Sequence, residues 1–416
     1  MGKLLLIADD FTGALDTGVQ FAARGAATCV VTDPAYRFSE ADPEIQVLVL
    51  DAETRHLSPR EAYDVVFRAV RDARSAGFTH IYKKTDSALR GNIGAELTAA
   101  LEAFGEGRLL LFPAFPRMRR VTRNGIHYID GVPVAESVFG QDPFEPVRSS
   151  SLAEIVAQQA ETPVCSHRRE DPAEPRGAGI HVYDAETDQD LARLAEELGA
   201  EGLRLCAGCA GFAEALADVL GLRGKVPALP ALEPSLFISC GSVNPVTLRQ
   251  MRTAEDQGFR RIHLTPEQKL EPLWLESEAC REVLEDWLRQ ARTGRCILDV
   301  NDPAGRGDTE DYARRHGLTT EDLRVRISRQ LAEIMRRLLD GGLGGTLLCT
   351  GGDTLLALMK AVNVGELRPV REVAPGAVLT QFVYRGKPYH IISKSGGFGE
   401  PGLFCELAAM VGAGPQ

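Results

Sequence analysis

The stretch KLLLIADDFTGALDTGVQFAARGAATCVV, Lys3 to Val31, decides the fold. KLLLIA is an unbroken apolar run, the mark of a strand covered on both faces. Ala14 to Arg24 then reads as a helix that Gly25 stops. ATCVV is a second buried strand, so strand, helix and strand follow one another as in a parallel crossover unit. The pattern repeats downstream. IQVLVL is another strand, and Ser58 to Ala76 is a helix with Ser58 as its cap, Pro59 in its first turn and Gly77 past its end. HIYKK and RLLLF continue the series. The expectation is an α/β protein of two domains, each a mostly parallel sheet flanked by helices. Ligands of such sheets bind beyond the carboxyl ends of the strands.

At 416 residues the chain has room for more than one domain. Apolar residues make up 44% and charged residues 25%, an ordinary globular mix. Asp and Glu number 58 against 47 Lys and Arg, a net charge of −11, the reverse of what a general nucleic-acid binder carries. No apolar run reaches the roughly 20 residues of a membrane span. MGKLLLIADD meets two aspartates too soon to be a signal-peptide core. Nine scattered cysteines suggest reduced thiols and a cytoplasmic protein. Cys206 and Cys209 form a lone CxxC pair without the second pair or histidines a zinc site wants, and read as buried thiols.

The alternation breaks at GIHYIDGVPVAES, where Asp130-Gly131 between short apolar runs predicts a hairpin. QQAETPVCSHRREDPAEPRGAG, Gln158 to Gly179, is polar and proline-dotted and reads as a surface excursion. GKVPALPALEPS, Gly224 to Ser235, carries Pro227, Pro230 and Pro234 and is the best boundary. The division is 1–224, a linker at 225–234, and 235–416. LFISC, RCILDV and GTLLCT open a second sheet, and PYHIISKSG is its last strand.

Three places in the second half share one design of strand, glycine turn and helix. In FISCGSVNPVTLRQM, Asn244 is a good cap and Pro245 suits the first helical position. In LLCTGGDTLLALMKAV, Gly351 and Gly352 permit close approach, and Asp353 or Thr354 is expected to cap the helix. The third is IISKSGGFGEPGLFCELAAMV. Free N–H groups and the helix dipole favour an anion at such turns, and three of them suit a polyphosphate. The named nucleotide loops fail, however. GLRGKV has the wrong spacing for a P-loop. Gly397, Gly399 and Gly402 match G-x-G-x-x-G, but no further strand and acidic residue follow.

The first half offers acids and cations. IADDFTGALDTG puts Asp9 and Asp10 at the end of the first strand, where one carboxylate or Thr12 suffices to cap the helix. The second could take a proton from a hydroxyl or hold Mg²⁺ through water. Arg55 in DAETRHL is a natural partner for a substrate carboxylate, while His56 reads as structural or exposed. KKTDSALRGNIGAEL places Lys83, Lys84, Thr85, Asp86, Ser87 and Arg90 together. That set suits a small, hydroxylated, anionic molecule, though Asp86 or Ser87 could also cap the helix that begins near Asn92.

These motifs, with PAFPRMRRVTRNGIHYIDGVPVAESVFGQDP, CTGGDTLLALM and SKSGGFGEP, resemble those of the four-carbon acid sugar kinases, in the same order and over most of the chain. Members phosphorylate threonate, erythronate or 3-oxo-tetronate with ATP. The resemblance implies an N-terminal domain for the acid sugar, a C-terminal domain for ATP, and a reaction between them. It implies substrate contacts at Asp9, Asp10, Arg55, Lys84, Thr85, Asp86 and Ser87. ATP contacts fall at Ser242, Gly351, Gly352, Asp353, Thr354, Gly396 and Gly397. Mg²⁺ would bridge the phosphates, and Asp10 or Asp86 would take the proton of the terminal hydroxyl. LDTG and ETRHL lean toward D-threonate or D-erythronate. RMRR departs from the family's usual acidic or glycine-containing stretch after PAFP and leaves the fine substrate choice open. A metal-dependent sugar-acid lyase or isomerase would have no use for three glycine turns. A non-catalytic sensor of ATP or sugar acid would need no base. No motif points to a nucleic-acid or membrane partner, and self-association stays open.

Overall fold

The computed structural model describes residues 3–142, 145–303 and 306–412. Pro143, at the end of the long PAFP stretch, lies outside the described residues. The chain divides into two compact units, Met1–Pro227 and Ala228–Gln416.

The first unit contains β1 (Lys3–Ala8), β2 (Thr28–Val31), β3 (Val47–Asp51), β4 (Phe78–Lys84), β5 (Arg108–Phe112), β6 (Arg120–Arg123), β7 (Ile126–Ile129), β8 (Val132–Pro133), β9 (Val164–His167), β10 (Gly179–Tyr183) and β11 (Leu205–Gly208). Eight of them form one parallel sheet in the order β2-β3-β1-β4-β11-β5-β10-β9. Leu4 to Ala8 are buried throughout, which is why β1 reads as continuous apolar sequence; each such leucine contributes roughly 1.5–3 kcal/mol. β1 lies between β3 and β4. Ala8 is opposite Asp51 on one side and Lys84 on the other. The chain order reverses at this point, so the loops leaving β1, β3 and β4 share one edge.

Local signals set the helices. Helix Pro59–Ser75 starts from a Ser58–Glu61 capping box. Helix Phe11–Ala22 starts earlier than expected because the Asp10 carboxylate accepts from Gly13 N at 2.9 Å. Helix Ile93–Phe104 corrects an expectation: neither Asp86 nor Ser87 caps it. The Gln159 amide oxygen does, accepting from Gly94 N at 2.9 Å and Ala95 N at 3.3 Å. The Gln158–Gly179 stretch is likewise not wholly an excursion, since β9 within it pairs parallel with β10. β6, β7 and β8 form a small antiparallel sheet. Asn124-Gly125 and Asp130-Gly131 turn its corners with positive φ at all four residues.

The second unit contains β12 (Leu236–Cys240), β13 (Arg260–His263), β14 (Cys296–Asp299), β15 (Thr346–Thr350), β16 (Glu366–Ala374), β17 (Ala377–Tyr384) and β18 (Lys387–Lys394). β13-β14-β12-β15-β18 run parallel, and β17 and β16 continue the sheet antiparallel. Among the described residues no helix is long and apolar enough to cross a membrane.

Lys83 and Lys84 point to opposite faces of β4. Lys83 is fully buried and its Nζ sits 2.9 Å from Glu96, also fully buried. Burial lifts the Glu96 carboxyl above its usual range against the pull of Lys83. Breaking such a pair from one side costs about 3–5 kcal/mol. Urea denaturation of Lys83→Met should show a loss of that order. The loss should grow as pH rises, because the abandoned Glu96 must be protonated to stay buried. The double variant Lys83→Met/Glu96→Leu should recover most of it.

Candidate functional site

In the first unit the loops leaving β1, β3 and β4 bring Asp9, Asp10, Arg55, Lys84 and Asp86 together. Arg55 Nε donates to Asp9 Oδ2 at 2.8 Å and Nη1 to Asp10 Oδ2 at 2.8 Å, while Nη2 lies 3.7 Å from Asp86 Oδ1. The Arg55 loop is fixed from below. Thr54 N and Arg55 N both donate to Asp9 O, and the Asn92 side-chain amide donates to Thr54 O and Leu57 O. Lys84 Nζ stands 3.9 Å from Asp9 Oδ1. A Cβ on Gly13 would fall 2.6 Å from both Lys84 Nζ and Asp10 Oδ1, so a larger residue there would push the ammonium or the carboxylate aside. Asp86 is gripped by Arg90 through Nε at 2.8 Å and Nη2 at 3.2 Å, and it accepts from Ala88 N and Arg90 N.

These contacts set the charges. Burial would raise Asp9, but Arg55, Lys84 and Lys83 outweigh it and hold the carboxyl below its ordinary value. Asp86 is held well below the carboxylate range; burial opposes this and Arg90 and Arg55 overcome it. Asp51, one position from Ala8 across the sheet, goes the other way. Burial first, then the Glu53 and Asp10 carboxylates, push it well above the usual range.

Other expected residues stand differently. The Lys83 ammonium faces Glu96, away from this group. Thr85 is fully buried, and its hydroxyl has no polar partner among the described residues. The Ser87 hydroxyl accepts from Arg120 Nη1. His56 pairs with Glu145. Cys206 and Cys209 are buried, and burial raises both thiols. Sequence reasoning passed over Asp51, Arg120 and His127; Arg90, expected to help receive an anion, instead holds Asp86. His127 Nε2 bonds Ser87 O at 3.0 Å, and burial drives its imidazole down to about 4. A run of arginines after PAFP was the only sign of Arg120, and nothing in sequence linked it to Ser87.

In the second unit β12, β15 and β18 end side by side. Gly351 N donates to Lys394 O and Gly241 N to Thr350 O. A Cβ on Gly396 would lie 2.6 Å from Ser242 Oγ, and one on Gly241 would lie 1.9 Å from Thr354 Oγ1. The three glycine turns therefore meet around Ser242. Asn244 caps its helix as expected, accepting from Val246 N at 2.9 Å. The expected cap by Asp353 or Thr354 is absent. The helix starts at Gly352 with Gly351 at the cap position and no side-chain bond; Asp353 is exposed and Thr354 is buried against the first turn. Such an end keeps its N–H groups for an anion. Gly397, beside Asn244, is exposed. Lys394 is buried beneath the third turn. Its Nζ donates to Thr247 Oγ1 at 3.0 Å, Ser395 O at 2.9 Å and Gly396 O at 3.2 Å, all neutral groups.

Two family models match successive parts of the chain. A family model described as a sugar-binding N-terminal domain matches residues 4–216, and one described as a nucleotide-binding C-terminal domain matches residues 237–404. The chain is 31% identical to a D-threonate kinase of Salmonella typhimurium over 97% of each chain. It is 28% identical to a D-erythronate kinase of Heliobacterium modesticaldum, over 97% of this chain and 96% of that one. It is 27% identical to a 3-oxo-tetronate kinase of Pseudomonas fluorescens, over 98% and 97%. A crystal structure from Salmonella typhimurium LT2 shares the fold with a TM-score of 0.82 at 21% identity, covering 98% of this chain and 99% of that one.

Burial brings Lys394 down to about 8; the Cys240 thiol nearby, itself pushed up to about 12, stays neutral through this range. An anion resting on the three turns should favour the ammonium form. Calorimetric titration with pyrophosphate should show affinity falling as pH rises past about 8, by no more than about tenfold per pH unit for one coupled proton. Lys394→Met should bind weakly at every pH and lose that slope.

Proposed function

The chain belongs to the four-carbon acid sugar kinase family, and we propose that it moves the γ-phosphoryl group of ATP to the terminal hydroxyl of D-threonate or D-erythronate. The observation that carries the phosphoryl-donor part is the meeting of three glycine turns around Ser242. Backbone N–H groups there suit phosphate oxygens, and no carboxylate bonds to the turn glycines' N–H groups among the described residues. The contacts proposed for ATP are Ser242, Gly351, Gly352, Asp353, Thr354, Gly396 and Gly397.

On the acceptor side, Asp9, Asp10, Arg55, Lys84, Asp86 and Ser87 form the acid-sugar pocket, and Asp10 is the proton acceptor. Asp9 is nearly fully buried and held by Arg55. Asp86 already accepts from two Arg90 nitrogens and two backbone N–H groups. The Asp10 side chain is 23% exposed and, among the described residues, accepts only from Gly13 N and Arg55. A base needs a lone pair the substrate can reach. As the hydroxyl oxygen bonds to the γ-phosphorus, the bond from that phosphorus to the bridging oxygen breaks. ADP leaves with the electron pair, and the proton goes to Asp10. Positioning and charge stabilisation do most of the work in such transfers.

Magnesium fits this arrangement as a companion of the nucleotide. It keeps several waters and takes phosphate oxygens readily. Among the described residues no three Asp, Glu, His or Cys groups form a metal cluster; Asp10 is the carboxylate that would hold the ion, through water. When bound, Mg²⁺ would neutralise phosphate charge.

ADP release from Mg·ATP should be measured against D- and L-threonate, D- and L-erythronate, 3-oxo-tetronate and longer aldonates. One four-carbon acid should far exceed the rest. Asp10→Asn should lower kcat for it roughly 100- to 10,000-fold while leaving nucleotide binding intact. Silence across the panel with intact nucleotide binding would refute the reading.

A further inference from the structure

The cations of the first unit's pocket are unevenly partnered. Arg55 spends Nε and Nη1 on Asp9 and Asp10 and turns Nη2 toward Asp86. Arg90 holds Asp86 and reaches Asp142 at 3.3 Å. Lys83 holds Glu96. Arg120 differs. It makes no ion pair among the described residues, and its Nε is enclosed without a hydrogen-bond partner. Among the described residues its side chain's one hydrogen bond is to the Ser87 hydroxyl. Arg120 and Arg90 each lie 5.3 Å from the Phe139 ring, which keeps the two guanidiniums in place without cancelling either charge. The imidazole on the far side of Ser87, His127, bonds Ser87 O and Thr122 and is neutral near pH 7, so it offers Arg120 no counter-ion.

A half-buried guanidinium with an enclosed, unbonded N–H is costly to maintain. The enclosed Nε is out of a ligand's reach, but at the end of the fork only Nη1 is bonded among the described residues, and only to a neutral hydroxyl, so a planar anion could take one N–H from each Nη there. We propose that Arg120, and not Arg55, receives the carboxylate of the acid sugar, and that it selects acids over the neutral four-carbon polyols of the same shape. Arg55 is then a positioning residue that holds Asp9 and Asp10 in place. The inference rests on the acid sugar kinase reading and deepens it. It also gives a use to the RMRR segment, whose last arginine opens β6 beside Ser87.

The test is steady-state kinetics on the full chain with the four-carbon acid the wild type uses and with the matching tetritol, threitol or erythritol. Arg120→Met should raise KM for the acid by roughly 10- to 150-fold, the worth of a lost bond to a charged group, with a much smaller change in kcat. KM for the tetritol should move far less, so the preference for the acid collapses. Arg120→Lys should restore part of it, since it returns the charge without the fork. Arg55→Met should instead act mainly on kcat, through a displaced Asp10. An acid KM within about twofold of wild type in Arg120→Met, or an equal rise for acid and tetritol, would overturn this inference alone. A wild type silent on every four-carbon acid would overturn the kinase reading and this inference with it.

Discussion

Three carboxylates stand at the ends of β1 and β4, and one guanidinium makes their company tolerable. Asp9 and Asp86 are almost wholly buried. Without a cation between them such groups would take up protons rather than stay charged together. Arg55 lies among Asp9, Asp10 and Asp86, and its charge helps hold Asp9 and Asp86 below the ordinary carboxylate range. Its own loop is tied to Asp9 O and to the Asn92 amide, so the charge network and the backbone that carries it are one structure. Asp51 shows the alternative. It is buried behind the same edge, has Glu53 and Asp10 rather than a cation for company, and is driven toward its neutral form.

The second unit prepares for an anion by the opposite route. Its edge is made of glycine turns and hydroxyls, and its buried lysine is bonded to neutral oxygens. The nearest strand-end acid, Asp299, is taken out of play: Arg261 holds one oxygen at 2.8 Å and the Asn301 amide the other at 2.7 Å. The same Asn301 amide donates to Ser242 O at 3.1 Å, so neutralising the acid also fixes the first turn. One unit therefore balances its buried carboxylates against cations, and the other ties its strand-end acid to Arg261 and Asn301 beside the glycine turns.

Much of this was legible in sequence because its causes are local. The apolar run of β1, the Ser58 box and the Asn244-Pro245 start act within a few residues. The gathering of Asp9, Arg55 and Lys84 was not local. It requires β1 to sit between β3 and β4, which apolar runs cannot specify, since any of these strands could pair with any other. The Gln159 cap lies 65 residues from the N–H it satisfies, beyond any capping pattern. The sequence grouped Lys83 with Lys84, but strand alternation turns them to opposite faces, and Lys83 meets Glu96 instead. Arg120 shows the limit most clearly. Its sequence context was a string of arginines, and only its lack of an ion-pair partner, a property of the fold, sets it apart.

The uneven pairing also bears on how a chain of net charge −11 handles an anionic substrate. Exposed charges farther away than a Debye length, about 8 Å at physiological salt, are largely screened. The balance inside the pocket therefore governs, and there the carboxylates are matched internally while Arg120 is left over. On the proposed reaction the substrate's carboxylate lies at Arg120 and its reacting hydroxyl at Asp10. On that reading the leftover cation holds the charged end of the substrate, and the carboxylates already matched by Arg55, Lys84 and Arg90 meet its neutral hydroxyl.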